Sequence, residues 1–382
     1  MGQTLTDAMS YKVDWLAFTC KLDKIYDYSI TIRKILDYLG YDIDLFKECT
    51  GRYFYNSGIT LGDYCNIFYN DPCKITTTNC QSSVNFQFTG TGCTDLGARL
   101  QDIYESDDYE QNWIRLFKFL TENSYRVSRC DLALDDFKGY NSFEKMEQKL
   151  KKGYYRSVKK TFSINRGSDQ KQNLTGLTIY IGSMPKGGAG SNGTYYLRMY
   201  KKLAEYESKG QLPPEKARLS GVWDRYEIQF TKKKAQNIVA KIIENGGFSV
   251  VYLGVLRELV EFLEPTRNKN GNLYKNKARW KISPWWETFL QDAQKIKIGS
   301  DDIRSVSLSD LLAWIKVAVV PSLKLLEEIG KKRKFNIYEL IEHIDDVEFG
   351  KKQKRLYYDS LAIPNKTLEK YLKEFQGLEN GK

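Results

Sequence analysis

The chain has 382 residues, 41% apolar and 14% aromatic, enough for two domains or for one large domain with an appendage. Its formal charge of +11 favours a polyanionic partner, because each phosphate neutralised by Lys or Arg releases a counterion. A single histidine, His343, excludes chemistry built on a histidine cluster, and no apolar run approaches the roughly 18 residues of a membrane span.

In chain order, residues 13–20 read as a strand and 30–39 as a helix with Ile32, Ile35, Leu36 and Leu39 on one side. Between 53 and 89, short strands at 65–69 and 84–88 are separated by turn residues, as in an antiparallel sheet. Helices are expected at 96–104 and 113–120. Residues 127–135 form the clearest strand. Cys130, Leu132 and Leu134 point one way, and Arg129, Asp131, Ala133 and Asp135 the other. A helix at 143–150 precedes strands at 177–181 and 195–200, which flank a Gly-rich loop as a hairpin, and a strand at 223–230 closes the series.

From about residue 235 the pattern turns helical, at 238–243, 255–262, 308–329 with a break at Pro321, 337–344 and 368–375. The late helices offer room for a helix-turn-helix reader of DNA. The expected fold is α+β, an antiparallel-sheet core of RRM/ferredoxin-like type with a helical C-terminal region. The chain divides into an N-terminal α+β part (1–125), a catalytic sheet (126–250) and a basic, helical, DNA-binding region (251–382). The seven cysteines are scattered, without a Cys-x-x-Cys pair, so they read as small buried residues in a reducing setting. The first residues carry neither the basic nor the apolar block of a secretory signal. A cytoplasmic protein with no membrane partner is expected.

Three strands share one parity. Leu197 and Met199 face one side while Tyr196, Arg198 and Tyr200 face the other; Tyr226, Ile228 and Phe230 oppose Arg225, Glu227 and Gln229. Joined in one sheet, they would pool Asp131 or Asp135, Tyr200, Arg198, Arg225 and Glu227 on one surface, with Glu205 within reach on the segment that leaves Tyr200. Such a set suits phosphodiester chemistry. A phenol oxygen attacks phosphorus, a divalent ion on carboxylates offsets the developing charge, and arginine forks hold the non-bridging oxygens. Oxygen-only ligands suit Mg²⁺ or Mn²⁺. Asp131 and Asp135 lie about 13 Å apart on a strand at roughly 3.3 Å per residue, so at most one is a direct ligand. Its mid-strand position favours Asp131, with Asp135 as the rival.

Residues 188–193 match Gly-x-Gly-x-x-Gly, but the run lies between two strands with no helix after it. It reads as a hairpin tip that brings Lys186 near DNA, beside Lys201 and Lys202. No Walker-type loop occurs, so helicase work must come from a partner. Residues 266–286 mix Arg267, Lys275, Lys277 and Arg279 with Tyr274, Trp280, Trp285 and Trp286. That mixture suits phosphate contact with base stacking, or equally a solvated loop anchored by its tryptophans.

These motifs resemble the Rep_trans family of rolling-circle replication initiators and related relaxases of integrative conjugative elements. The resemblance covers roughly residues 11–290. It rests on Val13-Asp-Trp-Leu16, Arg129-Cys-Asp-Leu-Ala-Leu-Asp135, Thr178-Ile-Tyr-Ile-Gly-Ser183, Arg198-Met-Tyr-Lys-Lys202, Trp223-Asp-Arg-Tyr-Glu227 and Pro284-Trp-Trp-Glu-Thr-Phe-Leu290, in that order. It implies that Tyr200 nicks origin DNA and stays joined to the 5′-phosphate, with Tyr196 and Tyr195 as alternatives. It implies Asp131 or Asp135, Glu205 and Glu227 as metal carboxylates, a host helicase as partner and room for a homodimer. The chain departs from the pattern at Lys201, where an acidic residue often follows the tyrosine, and in the longer loop at 184–193. Two rival readings remain at this level: a DNA-binding plasmid regulator without catalysis, and a metal-dependent nuclease without a covalent intermediate.

Overall fold

The computed structural model describes residues 9–74, 82–168, 170, 174–183, 194–291 and 293–298, and further on 312, 315–333, 336, 357, 368–369 and 372–373. The strands are β1 (Met9–Lys21), β2 (Lys47–Thr50), β3 (Ser57–Leu61), β4 (Cys65–Tyr69), β5 (Ser83–Phe88), β6 (Arg126–Asp136), β7 (Tyr155–Arg156), β8 (Phe162–Ser168), β9 (Leu174–Ile181), β10 (Tyr195–Lys201), β11 (Asp224–Thr231), β12 (Glu261–Glu264) and β13 (Lys281–Ile282). The helices are α1 (Tyr28–Tyr38), α2 (Gly90–Tyr104), α3 (Tyr109–Glu122), α4 (Phe143–Lys151), α5 (Lys202–Ser208), α6 (Glu215–Ser220), α7 (Lys233–Asn245), α8 (Ser249–Leu259), α9 (Pro284–Leu290) and α10 (Val320–Arg333).

Ten strands form one sheet in the order β2-β3-β4-β5-β1-β6-β11-β10-β9-β8, and every neighbouring pair is antiparallel. The α+β, antiparallel expectation holds, in a sheet larger than a ferredoxin-like core. It is one-sided. The apolar strand positions Val13, Leu16, Phe18, Cys130, Leu132, Leu134, Tyr226 and Ile228 share one core cluster with residues of α1–α4 and α7–α9. The opposite face keeps the polar half of the alternation. Cys20, Cys65, Cys93 and Cys130 are buried, with no disulfide among the described cysteines. A smaller core, Phe137, Ala217 and Trp223 with Leu203 and Tyr206, forms around α5 and α6.

By its contacts the chain divides into 1–298 and 299–382. The single sheet therefore crosses 125/126, and 250/251 falls inside α8. The helix read at 255–262 ends at Leu259; Val260 is extended and Glu261–Glu264 pairs with β7 and β13. A short apolar run does not by itself separate helix from strand. Here Arg156, Arg257 and Lys295 around the Glu261 carboxylate favour the strand. The expected break at Pro321 is a change of helical geometry: a π-helical turn at Ile315–Val319 gives way to α10, which begins at Val320. His343 and the helices read at 337–344 and 368–375 lie outside the described residues, except 368–369 and 372–373. Among the described residues no helix is long and apolar enough to cross a membrane.

The start of α2 is locked to the β3–β4 turn. Thr89 caps the helix at Gly92 N and donates its own N–H to the Tyr64 carbonyl at 3.1 Å. A Cβ on Gly92 would stand 1.8 Å from that carbonyl oxygen, with backbone on both sides of the clash. Gly92→Ala should therefore destabilise the fold by about 3 kcal/mol through forced separation of α2 from the turn. Chemical denaturation of the two proteins checks this, and an unchanged midpoint refutes it.

Candidate active site

Pairing of β6, β11, β10 and β9 builds the site. One cross-strand row reads Asp135–Arg225–Tyr200–Thr178 and the next Ala133–Glu227–Arg198–Tyr180. Opposed residues of antiparallel strands share a face, so the polar halves of all four strands meet. The small Ala133 stands opposite Glu227 and adds no bulk there. A cavity of about 420 Å³ opens in front of these rows, lined by Tyr200, Glu227, Arg198, Tyr180, Asp14 and Glu205 with Lys201 and Lys202.

The Tyr200 hydroxyl donates to Glu227 Oε2 at 3.2 Å, and Arg198 Nη2 donates to Glu227 Oε1. Burial, and next the Glu227 charge, push the phenol well above its usual range, against the pull of Arg225 and Arg198. Glu227 is itself raised, first by burial and next by the negative charge of Asp14. Glu227 thus accepts the hydrogen bond of a tyrosine from the neighbouring row, the geometry that a proton acceptor for that phenol requires.

Asp14 is a residue the strand pattern did not single out. Val13 pairs with Leu132 and Trp15 with Asp131, so Asp14 is the extra residue of a β-bulge. The bulge turns its carboxylate into the cavity, where it accepts from Arg225 Nη1 at 2.8 Å. A signal was present in the sequence: Val13 and Leu16 are both core residues three apart, which breaks a period of two at Asp14.

Three residues lie on the expected face but are paired otherwise than expected, and Trp280 takes the second of its two readings. Asp135 is fully buried, forked by Arg225 Nε and Nη2 at 2.6 and 3.0 Å and paired with Lys12 at 2.7 Å. Asp131 is 1% exposed and holds the Arg129 fork, with Nε on Oδ1 at 2.9 Å. Neither lines the cavity, so neither is placed to hold an ion there. Arg225, expected among the catalytic residues, is paired with Asp135 and Asp14. Trp280, a candidate stacking platform, is an anchor instead, 8% exposed with its Nε1 donating to the Tyr274 carbonyl at 2.8 Å. Trp286 is wholly buried in the same way. Arg267, Lys275, Lys277 and Arg279 around them are exposed.

Glu205, on α5, lines the cavity and pairs with Lys202 at 2.8 Å and Lys209 at 2.5 Å. Lys201 pairs with Glu144 at 3.0 Å. Tyr195 lies on the core face opposite Phe230, and the Tyr196 hydroxyl donates to Gln229 at 3.0 Å. Of the three tyrosines, Tyr200 alone lines the cavity. Lys186 lies outside the described residues.

Among the described residues no three Asp, Glu, His or Cys side chains converge tightly enough to hold a metal ion unaided. The donor chemistry nevertheless fits a hard cation. Asp14, Glu227 and Glu205 are the acidic residues of the cavity, each also paired with a cationic side chain, and no sulfur or imidazole lines it. Mg²⁺ is commonly held by one or two carboxylates with water and substrate oxygens completing the shell.

A second acidic pair stands on the core face. Asp224 lies opposite Asp136 across β11 and β6 and is pushed up to about 7, first by burial and next by the Asp136 charge. Because its folded pKa is raised, its contribution is complete below the unfolded value near 4 and is lost as pH rises through about 7. Asp224→Asn should thus stabilise the protein more at pH 8 than at pH 5, read as a larger rise in melting temperature; an equal rise at both would contradict it.

The fold and site together define a one-sided antiparallel-sheet protein whose polar face sets a phenol among carboxylates and arginines. A family model described as "Replication initiation factor" (Rep_trans) matches residues 125–344, more than half of the chain, and the chain belongs to that family. It is 24% identical over 341 residues to a protein described as "Putative DNA relaxase NicK" from Bacillus subtilis (strain 168), covering 87% of this chain and 85% of that one. Its fold resembles the structure of a rolling circle replication initiator protein from Geobacillus stearothermophilus, with a TM-score of 0.56 and 23% identity over 76% of this chain and 98% of that one.

Proposed function

We propose that this protein nicks one strand of DNA at an origin by transesterification and keeps the 5′ end on Tyr200. The observation that carries the reading is the Tyr200–Glu227–Arg198 chain inside a polar cavity, in a member of a replication initiation family. The Tyr200 oxygen attacks the phosphorus, the bond from phosphorus to the 3′ oxygen breaks, and Glu227 takes the phenol proton. The 3′ oxygen leaves, acquires a proton from solvent and becomes the 3′-OH that primes synthesis. Reversal of the same exchange rejoins the strand, with no net hydrolysis.

Arg198 holds Glu227 in line with the phenol, and Arg225 fixes Asp14 at the cavity wall. Asp14 and Glu227 would hold a Mg²⁺ or Mn²⁺ ion, with Glu205 at the rim. When bound, that ion would polarise the phosphate and offset its growing charge. Lys201 and Lys202 and the exposed cations of residues 267–279 supply phosphate contacts around the cavity. Strand separation falls to a separate helicase.

The test is incubation with a supercoiled, labelled origin plasmid and Mn²⁺, followed by denaturation. Label retained on the protein supports the reading. Nicking without retained label supports a hydrolytic nuclease, and binding without nicking supports a regulator.

A further inference from the structure

Beside the catalytic cavity, the polar face continues across β6, β1, β5 and β4 with a composition unlike that of the cavity. Thr60, Asn66, Gln87, Ala17 and Arg129 follow one another in a single cross-strand row, and Trp15, Asp131 and Gln229 make up the next. All share the face of Glu227 and Arg198, because Arg129, Asp131 and Ala133 alternate along one strand. Trp15 directly follows Asp14 and so begins at the rim of the cavity.

Two features separate this band from an ordinary wetted sheet surface. First, the Arg129 guanidinium sits over the half-buried Trp15 ring, 4.1 Å from its centre, and pairs with Asp131. The result is a broad, rigid, nearly neutral platform. Second, the amides are held by neighbouring side chains. Gln87 Nε2 donates to Asn85 Oδ1 at 2.9 Å, Thr60 Oγ1 to Asn66 Oδ1 at 2.9 Å, and Tyr196 to Gln229 Oε1 at 3.0 Å. Each keeps a second amide atom without a partner among the described residues: Gln87 Oε1, Asn66 Nδ2 and Gln229 Nε2.

We infer that this band binds the unpaired bases of the DNA strand next to the cleaved bond, stacking them on Trp15–Arg129 and pairing their edges with the fixed amides. Phosphate recognition asks for free cations, whereas Arg129, the cation at the centre of the band, is already paired with Asp131, and the exposed Lys47 stands only at the far end of the row, opposite Thr60. Nucleobases instead present flat π-faces and donor–acceptor edges, which match an aromatic–guanidinium plane and preset amides. The π-faces and Watson–Crick edges are exposed only in unpaired strand, where a sheet face can meet them. The lysine-rich rim then tracks the backbone while this band reads bases, a separation of labour between positioning and specificity.

The inference rests on the proposed nicking of DNA, so binding is measured in the Tyr200→Phe protein, where cleavage does not intervene. The probes are fluorescent oligothymidylate and an abasic strand of equal length and charge. Oligothymidylate should bind about ten-fold more tightly than the abasic strand, and Trp15→Ala should erase that preference while abasic binding stays unchanged. Trp15→Phe, which keeps an aromatic face and the packing, should restore most of it. Equal affinity for the two strands in the parent protein, or a preference that survives Trp15→Ala, overturns the inference whatever the adduct test shows. A Trp15-dependent preference upholds it even if no adduct forms.

Discussion

Tyr200→Phe is expected to reduce nicking by about 10³-fold or more and to abolish the covalent adduct, with melting temperature and DNA affinity nearly unchanged. The change removes one oxygen. That oxygen makes a single hydrogen bond, to Glu227 at 3.2 Å, on the edge of an open cavity, so little stability depends on it. The proposed chemistry depends on it entirely: Tyr195 lies on the other face of the sheet and Tyr196 is engaged with Gln229, which leaves Tyr180 as the one other tyrosine lining the cavity among the described residues. Glu227→Gln should also slow the reaction while keeping the ring in place, and should flatten the pH dependence of the rate, because the proton acceptor is gone. Gel assays of labelled plasmid check both. Full adduct formation by Tyr200→Phe would move the nucleophile elsewhere.

Asp135→Ala is expected to destabilise the protein by about 3–5 kcal/mol, the cost of stranding buried charges. Arg225 would keep only Asp14 as a carboxylate partner, and Lys12 would lose its own. Burial raises the Asp135 pKa, but Arg225 and Lys12 outweigh it and hold the group below the usual carboxylate range. The stability it contributes is therefore present above its unfolded value near 4 and is lost as pH falls through the lowered folded value. Wild type and Asp135→Ala should converge in stability as the solution becomes strongly acidic.

Asp14→Asn is expected to behave in the opposite way. The fold should survive, because Asp14 is partly exposed and an amide oxygen can still accept from Arg225. Mn²⁺ affinity measured by calorimetry should drop roughly ten-fold or more, as one of the two proposed carboxylate ligands becomes neutral. A metal site on Asp135 rather than Asp14 would reverse these two outcomes.

The alternation of residues in three strands was enough to bring Tyr200, Arg198, Glu227 and Arg225 to one face, because side-chain direction in a strand follows from position alone. The antiparallel character, the hairpin of β9 and β10, and the burial of most cysteines followed from equally local signals. The helix-to-strand change at Val260 did not, since a run of four to eight apolar residues serves either element.

Charge pairing was beyond the reach of the pattern as well. Whether Asp131 and Asp135 face an ion or an arginine depends on which strand lies next to β6, and their paired residues in β1 and β11 lie 90 or more positions away on either side. Asp14 entered the cavity through a one-residue shift of register, which no count of alternating residues conveys unless the break is noticed. Composition and periodicity thus determined a basic, one-sided sheet with a phenol on its polar side. Packing between distant strands decided which acids remain open to the cavity, because a buried carboxylate persists as an ion only where a neighbouring chain segment brings it a countercharge.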